Sequence, residues 1–279
     1  MSPKCWSSPH SIKWSSHPLE LRKKYTHLQK TKYQAEEHTK MSNRLKEFAI
    51  NVWTVEGPTV SFFGFQYPTR MAVVRLVQRD DPCAWIWSPI EISDELAKEV
   101  EAKAGPIKFI VSPNKFHHFF LKSWADKYPS AEVWGPPGLK RRKVAEGIRF
   151  NQTFGEDEHP EPEFLSEIDY VVVKGSYVLH EVEFFHKPSK TAIINDLIQR
   201  HTENLNGWKG FLMKLDGLAG DNGSTPRDWR FTFWPFGKAE LIKSRDAIFA
   251  WNAEKLIISH GLCAERDAST VIQKALYWV

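Results

Sequence analysis

Two adjacent histidines, His117 and His118, close the run IKFIVSPNKFHH over residues 107–118. The run reads as an apolar strand followed by a short loop. A strand that delivers imidazoles into the loop at its end is a common way to build a metal site. Three other places put metal-capable side chains at a strand end. These are His180-Glu181 at the start of a strand over 179–186, Asp196 near the end of one over 191–197, and His260 after one over 255–259. Imidazoles and a carboxylate suit zinc, iron or manganese. A lone histidine at a strand end is more often a hydrogen-bonded bystander. Four such positions together point to a shared site.

The histidine pair itself leaves a choice. Neighbouring side chains in a regular strand point to opposite faces. Either the loop turns sharply between them, or only one binds, and His118 is the favoured ligand. His117 is then a supporting donor or a general base. Along 180–186 the alternation puts His180, Val182, Phe184 and His186 on one face, and Glu181, Glu183 and Phe185 on the other. Either face could carry the site. Asn195 and His201 bracket Asp196, as residues that orient a ligand would.

The elements that must position these residues alternate. Strands are predicted over 48–55, 60–65, 71–78 and 84–87, then a helix over 94–104 with Ser93 as its N-cap. Strand 107–112, helix 118–127 and strand 131–134 follow. Strands 170–174, 179–186 and 191–197 precede a polar stretch over 198–225, helical or looped. Helix 238–252, strand 255–259 and helix 267–278 complete the chain. Meander, β-α-β, meander, α-β-α is what two sheets packed face to face with helices outside would give. The acidic, proline-bearing stretch 156–162 reads as a connection between halves. Trp85 and Trp87 share one face of one strand and are expected to be buried together.

Residues 1–44 differ. Up to Tyr33 the only acid is Glu20, against seven Lys or Arg. This basic Ser/Lys/His-rich segment reads as a flexible leader, with a mitochondrial targeting segment as the alternative. The folded domain is then 45–279. Other classes are disfavoured. There is no serine-nucleophile elbow, phosphate loop or dinucleotide fingerprint. No apolar run reaches the roughly 18 residues that span a bilayer. The three cysteines form no disulfide framework, which fits a reducing, cytoplasmic compartment. A net charge of +4 is too mild to argue for nucleic acid, and Lys140–Lys143 reads as a solvated run. The expected partner is a small-molecule substrate, with neither nucleic acid nor membrane.

The chain also resembles the metallo-β-lactamase fold, and within it the family known as domain of unknown function 4336. The resemblance rests on Tyr67-Pro-Thr-Arg-Met71, Ser88-Pro89, Ser112-Pro-Asn-Lys-Phe-His-His118, Tyr128-Pro129 and Pro136-Pro-Gly-Leu139. It continues through His180-Glu181, Pro188-Ser-Lys-Thr191 and Asp196-Leu197 to His260-Gly261. It implies an αββα sandwich of two mixed sheets with outer helices. Active members read Thr-His-x-His-x-Asp-His where this chain has residues 112–118. Pro113 and Lys115 stand for the two leading histidines, so the metal position they share with a mid-chain histidine, here His180, should be lost. His117, His118, Asp196 and His260 fill the other position. The resemblance therefore implies one divalent ion, zinc first, with iron or manganese as alternatives. The implied activity is hydrolysis of an ester, thioester or phosphoester-type bond. His117 or Glu181 would handle protons and Lys115 would stabilise negative charge. The alternative is a non-catalytic member of the fold that binds a partner or small molecule.

Overall fold

Tryptophan and phenylalanine in short alternating strands dictate the centre of the molecule. The computed structural model describes residues 44–62, 65–155, 161–202 and 206–279. The basic leader therefore lies almost wholly outside the described residues, as does most of 156–162. Residues 41–279 form one unit.

The first sheet has seven strands in the order β1-β2-β5-β6-β7-β8-β9. They are β1 (Lys46–Ala49), β2 (Val52–Glu56), β5 (Arg70–Leu76), β6 (Cys83–Trp87), β7 (Ile107–Val111), β8 (Glu132–Gly135) and β9 (Gln152–Thr153). The pairs up to β5-β6 are antiparallel; those from β6-β7 onward are parallel. Strands β3 (Val60–Phe62) and β4 (Phe65–Tyr67) pair separately. The second sheet runs β10 (Ile168–Val173), β11 (Glu181–His186), β12 (Thr191–Ile194) and β13 (Lys255–Ile258), with only β12-β13 parallel.

Three apolar layers hold this together. Trp85, Trp87, Phe109, Phe164, Phe184 and Ile257 are among those between the sheets. Trp85 meets Phe184 and Phe164 edge-on, at 5.1 and 6.2 Å between ring centres. The indole N–H groups of Trp85 and Trp87 have no hydrogen-bond partner, so both residues are held by apolar contact alone. The outer face of the first sheet packs on α1 (Asp94–Ala104) and α2 (Leu121–Lys127). The outer face of the second packs on α4 (Arg227–Phe231), α5 (Lys238–Ala250) and α6 (Ala268–Ala275). The remaining helix, α3 (Gly207–Leu215), precedes them. The fold is thus the αββα sandwich that the pattern implied.

Some elements differ from the sequence expectation. The strand expected over 48–55 is two strands, because Asn51 adopts a left-handed φ of 59° and turns the chain back. The helix expected from 118 starts at Leu121, because 117–120 form a turn that redirects the histidine pair. The stretch 198–225 holds α3. Ser93 caps α1 as expected, its Oγ accepting the Leu96 N–H at 3.1 Å. Ser93→Ala is expected to cost about 1 kcal/mol in urea denaturation; no loss would mean water replaces the cap freely.

Candidate metal centre

Parallel neighbours end on the same side of a sheet. The loops after β6 and β7 therefore leave one edge together, and so do those after β12 and β13. Contacts between the sheets stitch these two edges. Val182 N–H donates to the Pro113 carbonyl at 2.9 Å. Arg70 binds Glu56 at 2.7 Å and donates to the carbonyls of Gly261, at 3.0 Å, and Ile258. Arg70 therefore pins the loop that carries His260. Gly261 has φ 106°, and a Cβ there would lie 1.9 Å from the Arg200 carbonyl oxygen. Only glycine fits.

This edge brings His117, Asp196 and His260 together, each offering one ligand atom, all within 4.8 Å of one another. Asp196 Oδ1 lies 3.1 Å from His260 Nε2, and Oδ2 lies 3.6 Å from His117 Nε2. The other ring nitrogens are engaged. His260 Nδ1 meets the Pro68 carbonyl oxygen at 2.8 Å. That oxygen can only accept, so Nδ1 carries a hydrogen, and Nε2 donates to Asp196 when the ring is protonated and offers a lone pair when it is not. His117 Nδ1 meets Ser88 Oγ at 2.8 Å, from a serine held at φ 49°. Both imidazoles thus aim Nε2 at one carboxylate. Burial pushes the His117 pKa down, against the pull of Asp196. Burial pushes Asp196 up, but hydrogen bonds and charge from His117 and His260 hold it well below the usual range. Ring nitrogens converging on a carboxylate, where burial disfavours a protonated His117, fit a divalent cation. The triad could hold one.

The other expected residues fall elsewhere. His118 is buried, but its Nδ1 meets the Lys115 carbonyl at 2.7 Å and its ring stacks on Phe119 at 4.9 Å. The turn between the pair sends His117 into the group and His118 away from it. His180 is exposed and faces the Pro137 carbonyl. Lys115 Nζ donates to the Val178 carbonyl at 2.6 Å, and burial, then Arg142, push its pKa down to about 8. Glu181 is fully buried and joins the group through the side chains of Asn114 and Asn195. Asn114 Nδ2 donates to Asp196 Oδ2 at 2.7 Å and to Glu181 Oε2. Glu181 Oε1 also accepts the Leu197 N–H at 2.7 Å. Burial, then the Asp196 charge, push Glu181 up to about 7. Asn195 Nδ2 reaches Asp196 at 3.4 Å, whereas His201 connects through Gln199.

Sequence reasoning about ligands passed over Ser88, Asn114, Arg70 and Tyr67. The Tyr67 ring lies edge-on to His260 at 5.2 Å, and burial, then Asp196, push its hydroxyl up to about 12. All four sit inside short motifs already quoted for the resemblance. Asn114 gave a local signal as well: its Oδ1 accepts the N–H groups of Phe116 and His117, at 2.8 and 3.2 Å. That is the turn expected of an asparagine after proline.

Comparison with solved structures gives the fold independently. A metallo-β-lactamase from Hirschia baltica matches with 12% identity and a TM-score of 0.53, over 84% of this chain and 97% of that one. One from Erythrobacter litoralis, with β-mercaptoethanol in its active site, matches at 14% identity and TM-score 0.54, over 85% and 97%. The enzyme FIM-1 from Pseudomonas aeruginosa, in its mono-zinc form, matches at 12% and 0.52, over 83% and 93%. Likenesses this distant show a shared fold. No protein of curated function matches. A family model, described only as a domain of unknown function, matches residues 50–207, more than half of the chain. The chain belongs to that family, domain of unknown function 4336.

Proposed function

We propose that the protein is a metal-dependent hydrolase working with one divalent ion, zinc before iron or manganese, on an ester, thioester or phosphoester-type bond. The observation that carries this reading is the convergence of His117 Nε2 and His260 Nε2 on Asp196, with both Nδ1 atoms already engaged. His117, Asp196 and His260 would hold the ion. When bound, it would supply Lewis acidity that makes water nucleophilic near neutral pH. The protein's own groups prepare the place. Ser88 and the Pro68 carbonyl fix the ring orientations. Asn114 steadies the Asp196 carboxylate. Glu181, buried behind Asn114, is a positioning residue. Tyr67, whose ring lies edge-on to His260, stays protonated at neutral pH.

One observation favours a non-catalytic reading. Asp196 already accepts from Asn114 and Asn195, so the group is partly satisfied from within. Metal content separates the two readings. Mass spectrometry of the purified protein should find near one equivalent of a divalent metal, with hydrolysis in an ester and thioester screen. No metal, none taken up on addition, and no turnover would leave the non-catalytic reading standing.

A further inference from the structure

Helix α3 is built inside out. Trp208, Phe211, Leu212 and Leu215 recur at the spacing of one helical face, which normally faces a core. Here they are between 42% and 66% exposed. The inward face is Gly210 and Met213. The anomaly continues into the next element. Phe231 is 70% exposed, Trp234 75% and Phe236 93%. Hydrogen bonds make these segments neighbours. The Arg227 N–H donates to the Asp216 carboxylate at 3.1 Å, tying α4 to the end of α3. The Tyr177 N–H donates to the Thr232 carbonyl at 3.3 Å, which adds exposed Tyr177 and Val178. Of fourteen exposed large apolar side chains among the described residues, nine lie here. Such concentration marks an interaction surface rather than scatter.

The geometry points to a bilayer surface bearing anionic headgroups as the occupant: we infer that the protein docks peripherally on membranes through α3 and the segment 231–236. Charge selects this occupant. Helix α3 carries Lys209 and Lys214 and no acidic residue, whereas Arg227 pairs with Asp216 at 3.3 Å and Arg230 donates to the Thr225 and Asp216 carbonyls. A second copy related by two-fold symmetry would set this basic excess against itself, whereas anionic lipid complements it. Chemistry agrees, because Trp and Phe on a basic helix are what interfacial segments use. No helix among the described residues is long and apolar enough to cross a membrane. The expectation of no membrane partner rested on the lack of such a run, and surface docking needs none. The surface adjoins the metal-centre loop, since Lys115 Nζ donates to the Val178 carbonyl. Docking would therefore bring lipid close to the mouth of the site.

The test is cosedimentation of the full chain with vesicles of phosphatidylcholine alone or with one-third phosphatidylserine, in chelator, so that it is independent of any metal. Wild type is expected to sediment with the anionic vesicles. Phe211→Asp/Leu215→Asp and, separately, Trp234→Ser/Phe236→Ser should weaken partition by about tenfold or more while thermal unfolding stays unchanged. Three outcomes would overturn the inference. Wild type could stay in the supernatant. Both variants could bind as wild type does, which would assign binding to the basic leader. Wild type could elute as a dimer that the variants dissolve, which would make a second copy the occupant.

Discussion

His117→Ala is expected to abolish uptake of a divalent ion, while His118→Ala takes it up as wild type does. The two residues are neighbours in sequence and both are histidine, so the comparison is sharp. His117 Nε2 is one of the three atoms that converge at the centre. His118 has its Nδ1 on the Lys115 carbonyl and its ring on Phe119. Removing even a partner that only orients a ligand commonly costs 10–100-fold in affinity. Deleting one of three direct ligands should exceed about 100-fold. Titration calorimetry with zinc on chelator-treated protein reads this directly. His260→Ala should behave as His117→Ala does. Equal zinc affinity in the His117 and His118 variants would remove His117 from the centre, and with it the single-ion reading of the triad.

That comparison also marks where the sequence ceased to be legible. Strand ends were readable to within three residues, since the strands expected to end at 112, 197 and 259 end at Val111, Ile194 and Ile258, and parallel neighbours then deliver their loops to one edge. The choice between His117 and His118 was not readable. It depends on the turn at 117–120, which long-range contacts set. Asn114 bridges to Glu181, 67 positions away, and Pro113 pairs with Val182. No local pattern encodes these. The same holds for β11, where alternation gave two faces but not their surroundings. Val182 and Phe184 enter the layer between the sheets, and Phe185 joins the helices of the outer layer. Glu181 and Glu183 lie on the Phe185 side, and from there Glu181 reaches the site. The stretch 198–225, read as helical or looped, left the bounds and face of α3 open for a different reason. The apolar stripe of the helix lies in a polar stretch and is largely exposed, so the rule that such stripes mark a core did not apply.

Glu183→Gln is expected to stabilise the metal-free protein at pH 8 and to change little at pH 5. Glu181 and Glu183 are both fully buried on one face of β11 and share a hydrogen bond, which requires a proton between them. Glu183 Oε2 accepts the Asn195 N–H at 3.1 Å, and no N–H group reaches Oε1. Burial, then the charge of Glu181, push Glu183 well above the ordinary value of 4.5. Burial, then Asp196, push Glu181 to about 7. For carboxyls raised in this way the folded state holds protons that the unfolded state releases. Their contribution is therefore fully present below about pH 4.5 and is lost as pH rises, through about 7 for Glu181. Asp196 shifts the other way, so its contribution is present at both pH 5 and pH 8 and cancels from the comparison. Glutamine at 183 donates to Glu181 without needing a proton and still accepts from Asn195. It should keep the contact and remove the penalty of holding a buried proton at alkaline pH. Urea denaturation at the two pH values, in chelator, measures the difference. A variant equally stabilised at pH 5 and pH 8 would show that the gain comes from packing, and one destabilised at pH 8 would show that the pair does not share a proton.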